Sequence, residues 1–203
     1  MKEIEKTVYL PGLNGLRAIA ALSVLFAHIS QVGISDFGLT GLRDFPMAGY
    51  GVTLFFVISG FLISFLLIKE IEKTKTIDIK KFYLRRILRI WPIYYLFIAI
   101  CFLSLYFLDQ SKFIVVPEIW YYIFFSANIP FVFQQGILIL VHYWSIGVEE
   151  QFYLFWPWLV RLSKKNILKL SVVLFVLLFS AKLFSWVIWG AHSDIYRFLM
   201  VTR

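Results

Sequence analysis

The chain has 203 residues, of which 61% are hydrophobic, 20% aromatic and only 16% charged, and its mean hydropathy is +0.81. Apolar residues in that proportion exceed what a soluble core needs and point to a polytopic membrane protein. The formal charge of +8 then reads as Lys and Arg gathered in cytoplasmic loops, not as a nucleic-acid surface; the single cysteine, Cys101, has no partner for an intrachain disulfide and suggests no thiol metal cluster.

The opening stretch Met1–Gly15 is short and mixed in charge, with Pro11, Gly12, Asn14 and Gly15 marking a turn. A first span is expected from Leu16 to about Ile34. Further apolar spans follow without an A-x-A-like cleavage site, which argues against a signal peptide. Arg17 and His28 are eleven residues apart, so on an α-helix they lie ~16 Å apart along the axis and almost on one face. Small residues between them, Ala18, Ala20, Ala21, Ser23 and Ala27, leave a shallow channel for another helix or a ligand chain. Ionisable groups inside a membrane segment are costly and by default functional. Gly33–Gly49, with Asp36, Arg43, Asp44 and Pro46, reads as a loop on the outer side.

A second span runs from Gly49 to Ile68, close to the ~20 residues a bilayer core requires. Its Gly49, Gly51 and Gly60 permit close backbone approach, and Thr53, Ser59 and Ser64 can hydrogen-bond across helices; packing is favoured over ligand contact for all of them. Lys69–Arg89 is strongly basic and therefore cytoplasmic, which places the amino terminus inside as well. Within its second half, Arg86 and Arg89 are three apart and Arg85 and Arg89 four apart. Forked guanidiniums so clustered suit a phosphate, but attraction to anionic lipid headgroups explains the same residues and is the reading favoured on the residues alone.

The third span is expected over about Ile90–Leu108, with Pro92 in its first turn, where a missing N–H costs little. Asp109–Glu118 is a short acidic loop. Ile119–Gln135 is apolar but broken by Asn128 and Pro130, and reads as re-entrant or interfacial, which also keeps the basic cluster Arg161, Lys164, Lys165 and Lys169 inside.

Gly136–Val160 carries His142, Ser145, Glu149 and Tyr153 at i, i+3, i+7 and i+11, a polar stripe on one helical face, while Glu150 points ~80° away. That geometry prefers Glu149 as the inward carboxylate. Tyr143, Trp144, Phe152, Phe155, Trp156 and Trp158 supply an aromatic setting typical of membrane interfaces. A last span, about Ile167–Gly190, follows, with Lys182 able to snorkel or pair. No glycine-rich phosphate loop, no metal-ligand spacing and no internal repeat is present in the sequence. The expected fold is all-α, a polytopic transmembrane helix bundle of about five to six membrane segments in one integral-membrane domain.

Taken in order, LNGLRAIAALSVLFAH, GYGVTLFFVISGFLIS, FYLRRILRIWPIYYL and HYWSIGVEEQFYLFWP resemble the acyltransferase 3 family of multi-pass membrane acyltransferases. Arg17 and His28 match that family's arginine and histidine separated by ten residues. Arg86 and Arg89 match its paired arginines, and Trp144, Ser145 and Glu149 match its W-S-x-x-V-E segment. The resemblance implies transfer of an acyl group, often acetyl, from a cytoplasmic acyl-CoA such as acetyl-CoA to a hydroxyl of a cell-envelope glycan or lipid-linked sugar. It further implies a cell-membrane location, the bacterial inner membrane, with no bound cofactor and no metal. Family domains continue through further spans, so the chain is expected to be an amino-terminal portion.

Chemistry fits that reading. His28 suits a general base for a sugar hydroxyl attacking a thioester, and Glu149 suits a group that orients the imidazole if the two helices pack together. Arg17, Arg86 and Arg89 suit the phosphates of coenzyme A, with Trp144, Ser145 and Tyr153 in support. Two other classes fit the same residues: a proton-coupled transporter or flippase fragment relaying through His28 and Glu149, and an inactive truncated membrane remnant.

Overall fold

The computed structural model describes residues 10–37, 47–108, 118–133, 135–137, 140–163, 166–190 and 193–201. Every regular element among them is an α-helix: α1 (Leu13–Phe37), α2 (Met47–Thr74), α3 (Ile79–Leu108), α4 (Ile119–Ile123), α5 (Asn128–Val132), α6 (Tyr143–Ser163), α7 (Ile167–Trp189) and α8 (Asp194–Val201). Four of these, α1, α2, α3 and α7, contain stretches long and apolar enough to cross a membrane, of 18, 28, 26 and 23 residues. The fold is the all-α polytopic bundle expected, with α4, α5, α6 and α8 as its other described helices. Residues 38–46 and 109–117 of the two expected outer loops, and Lys164 and Lys165 of the basic turn, lie outside the described residues.

The chain forms two compact units, residues 1–64 and 65–203. In the first, α1 extends to Phe37, so the start of the loop expected from Gly33 is helical. Ala20 is fully buried. Gly51 explains why: a Cβ there would sit 2.8 Å from the Ala20 carbonyl oxygen and 2.8 Å from Val24 Cγ2, so α2 approaches α1 to a distance only glycine allows. Gly60, by contrast, has open space around it. Thr53 does not bond across helices as expected; its hydroxyl donates to Gly49 O of its own helix at 2.7 Å.

In the second unit the turn between α2 and α3 is tied by side chains. Glu70 Oε1 accepts the Asp78 amide at 2.8 Å, and Asp78 Oδ1 accepts the Lys81 amide at 3.0 Å, capping α3 at its first turn. This cap begins the helix at Ile79, so the basic segment and the third span are one continuous helix. Pro92 consequently lies well inside α3 and not in its first turn, and Leu88 loses its i+4 amide donor there.

Residues 119–133 do not make a spanning helix. α4 and α5 have five residues each, about 7.5 Å of axis apiece, and are joined at Phe125, whose φ of +54° is the left-handed region rarely used by non-glycine residues. Side chains from α3 and α6 satisfy the exposed backbone. Tyr94 and Tyr95 donate to Tyr122 O and Ile123 O at 2.6 and 2.8 Å, and Gln151 Nε2 donates to Phe125 O at 3.1 Å. Tyr122, 1% exposed, accepts the Ile137 amide on its hydroxyl at 2.8 Å. Asn128, 2% exposed, exchanges hydrogen bonds with Gln151, at 2.9 Å from Gln151 Nε2 to Asn128 Oδ1 and 3.4 Å in return. Gly147 lets this corner seat on α6, since a Cβ there would meet Phe125 O at 2.9 Å. Further along, α8 packs against α7 and α5.

Two stability outcomes follow from these contacts. Gly51→Ala should lower the thermal midpoint in detergent, because the clash is with backbone, whereas Gly60→Ala should be neutral or raise it, by up to ~1 kcal/mol of helix propensity. For the corner, Gln151→Leu and Asn128→Leu should each cost about 1–2 kcal/mol by orphaning a buried amide. The double variant should cost clearly less than their sum in an unfolding-based double-mutant cycle.

Candidate functional site

The described residues place the candidate groups in two sets. Arg17, half-buried, and His28, exposed, belong to α1 in the first unit. Arg86 and Arg89 on α3, and Trp144, Ser145, Glu149 and Tyr153 on α6, belong to the second.

Within the second unit one cluster forms between α3 and α6. The Arg86 guanidinium is half-buried, with Cζ 5.7 Å from the centre of the Phe82 ring and 5.3 Å from that of Tyr153. Flat, weakly hydrated guanidinium tolerates such stacking where ammonium does not. Tyr153, itself buried, donates from its hydroxyl to Glu149 Oε2 at 3.4 Å. Arg86, Tyr153 and Glu149 are thus brought together. Arg89 is exposed one turn further on, and Arg85 leans away to Glu70, 3.8 Å from Arg85 Nη2 to Glu70 Oε2.

Tyr83 fixes the spacing of the two helices. Its hydroxyl donates to Leu154 O at 2.6 Å and accepts from Trp158 Nε1 at 3.0 Å, beside the buried Pro157. Long aromatic side chains, not close backbones, join α3 to α6.

Trp144 and Ser145 lie apart from this cluster. Trp144 stacks on Phe131 of α5 at 5.0 Å with 14° between ring planes, and the Ser145 hydroxyl donates to His142 O at 3.1 Å. His142 precedes α6, which begins at Tyr143, so it is not part of the helical stripe expected from its spacing. Both residues secure the start of α6 and its seating on α5.

Two participants were not picked out by helical spacing. Glu150 Oε2 accepts from Trp91 Nε1 at 3.3 Å, and the Glu150 carboxylate interacts electrostatically with Arg86. The 80° offset that set Glu150 aside assumed one neighbour for α6; Trp91 and Phe125, 5.4 Å apart between ring centres, form a second. The sequence signal was present in Trp91 immediately before Pro92 and in the unbroken Glu149–Glu150–Gln151 run.

Comparison with known proteins bears on the whole chain. It is 32% identical over 213 residues to the O-acetyltransferase OatA of Staphylococcus aureus strain NCTC 8325 / PS 47, covering 96% of this chain and 33% of that protein. It is 30% identical over 208 residues to a putative O-acetyltransferase of Staphylococcus aureus strain COL, covering 95% of this chain and 32% of that one. The chain therefore spans about a third of the length of these relatives. No solved structure matches it. The model of the acyltransferase domain matches residues 10–200, nearly the full length, and the chain belongs to the acyltransferase 3 family.

Proposed function

We propose that the protein transfers an acyl group, acetyl in the first instance, from a cytoplasmic acyl-CoA to a hydroxyl of a cell-envelope glycan or lipid-linked sugar. It does so as one integral-membrane domain of the cell membrane, with its amino terminus in the cytoplasm. The observation that carries the reading is the cluster at Arg86. A guanidinium held by two aromatic rings, on the basic segment that the positive-inside rule assigns to the cytoplasm, is equipped to receive a donor phosphate. Similarity to O-acetyltransferases supports acetyl as the group and an oxygen as the acceptor atom.

In this reading Arg86 and the exposed Arg89 hold the donor's phosphates, with Arg17 as a further cation. His28 takes the proton of the acceptor hydroxyl as its oxygen attacks the thioester carbonyl. The C–O bond forms, the C–S bond breaks, and the proton passes from the imidazole to the leaving thiolate. Glu149 holds Tyr153, whose ring in turn supports Arg86. Trp144 and Ser145 support the start of α6.

Labelled acetyl-CoA offered to membranes containing the protein and its envelope glycan tests this directly. Transfer of label to glycan is the expected result, and export of a solute without transfer would replace the enzyme with a transporter. A His28→Ala variant should insert normally yet lose at least ~100-fold in transfer, the scale of general-base catalysis; near-normal transfer by the folded variant eliminates the base. Arg86→Lys should weaken donor binding about tenfold without disturbing insertion, because lysine keeps the charge and loses the fork. Unchanged donor affinity would leave only lipid headgroups for that residue.

A further inference from the structure

Glu150 is the one carboxylate of the second unit described as holding a buried oxygen without a hydrogen-bond partner: Oε1 has none among the described residues, while Oε2 receives only the 3.3 Å bond from Trp91. An ionised carboxylate has about four acceptor positions, and leaving buried ones empty costs ~1–3 kcal/mol or more. Neutral apolar side chains of similar volume would fill the same space at lower cost. Such an arrangement is retained where a group supplied from outside completes it.

The complementary half stands beside it. The Arg86 guanidinium lies over the Phe82 and Tyr153 rings, contacts that occupy none of its N–H groups with an oxygen acceptor and leave those donors available. Arg86 and Glu150 attract one another across the space between α3 and α6 without closing into an ion pair. The patch thus offers N–H donors from Arg86 and, next to them, a carboxylate acceptor. A simple phosphate ester or acyl phosphate that is fully ionised, and so carries no O–H, answers only the first. A nucleotide-type thioester, which carries phosphates together with amide N–H and hydroxyl groups, answers both.

We propose that Glu150 is a specificity-determining residue for the acyl donor, its free Oε1 accepting a hydrogen bond from an N–H or O–H of the molecule whose phosphate is held at Arg86. The inference rests on the donor-site reading of Arg86 given above. It differs from that reading in assigning discrimination, not anion affinity, to the neighbouring carboxylate. Removing a negative charge near a phosphate strengthens the binding of any phosphate, so the quantity that isolates the hydrogen bond is a ratio of affinities.

Calorimetric titration of the full chain in lipid nanodiscs with coenzyme A and with methyl phosphate, at mildly alkaline pH where methyl phosphate is a dianion without an O–H, measures that ratio. Wild type should prefer coenzyme A, and Glu150→Gln should reduce the preference about tenfold, the scale of exchanging a charged for a neutral acceptor. Its thermal midpoint should stay level or rise. Glu150→Asp, which withdraws the carboxylate by one methylene, should also lose preference, and decides the matter if the glutamine variant does not fold. Arg86→Lys should weaken both ligands in parallel. An unchanged ratio in the Glu150 variants, with Arg86→Lys still weakening both ligands, overturns the role of Glu150 alone. Were Arg86→Lys to weaken neither, the donor site itself would fall. A lowered midpoint with the ratio intact makes Glu150 a structural residue and overturns the proposal.

Discussion

A broken backbone inside an apolar protein is the constraint on which the second unit depends. Between α4 and α5 the chain turns at Phe125 in a left-handed conformation, and several peptide groups there have no partner within a regular helix. In lipid such groups cannot turn to water, and irregular backbone is tolerated only when protein satisfies it. Tyr94, Tyr95 and Gln151 do so from two helices at once. Because the three donors must converge on carbonyls within the four residues Tyr122 to Phe125, the angular settings of α3 and α6 are fixed by the corner and not chosen independently. The faces that carry Arg86, Glu149 and Glu150 follow from that setting.

Magnitudes show which contacts matter. Lipid is as apolar as leucine, so burial of aliphatic side chains gives helices little reason to associate, and packing together with interhelical hydrogen bonds takes over. The Arg85–Glu70 pair, at 3.8 Å with the arginine side chain about half exposed, belongs to the class of ion pairs that contribute ~0–1 kcal/mol. The Asn128–Gln151 exchange is buried, and loss of Gln151 strands the Asn128 amide, which costs more than the ion pair gains. Aromatic contacts fill the rest. Tyr94 alone meets Phe125 at 4.3 Å and Tyr143 at 4.5 Å, and Tyr143 returns a hydrogen bond to Tyr94 O at 3.0 Å.

Long apolar runs made α1, α2, α3 and α7 legible in the sequence, because a span is specified by length and hydropathy and needs no knowledge of its neighbours. An interruption of the apolar run 119–135 was legible as well, but Asn128 and Pro130, expected to break it, lie inside α5, and the turn falls before them at Phe125. Boundaries were harder. Pro92 looked like a helix start because proline is at home there, but the Asp78 cap, whose effect depends on the turn folding back through Glu70, starts α3 earlier. His142 fitted the spacing of a stripe on a helix that begins one residue later. Spacing assigns a residue to a face; it does not say whether the helix has begun, nor how many of its faces are covered.

That last limit is sharpest at Glu149 and Glu150. On a helix with one covered face, adjacent residues some 100° apart cannot both turn inward. α6 has two sets of neighbours: Arg86 of α3, which lies over the helix's own Tyr153, and the Trp91–Phe125 pair contributed by α3 and the α4–α5 corner. Glu149 accepts from the Tyr153 hydroxyl of its own helix, beside Arg86, and Glu150 accepts from the Trp91 indole of α3. Gln151, the third consecutive polar residue, reaches the corner at Phe125 and Asn128. Three adjacent side chains therefore serve three partners, so none can substitute for another by a change of rotamer. The polar run in α6 is maintained against the cost of placing it in an apolar protein because the helix is wedged between α3 and the α4–α5 corner, and a group that lies between two neighbours can link the anchoring of the fold to the chemistry at Arg86.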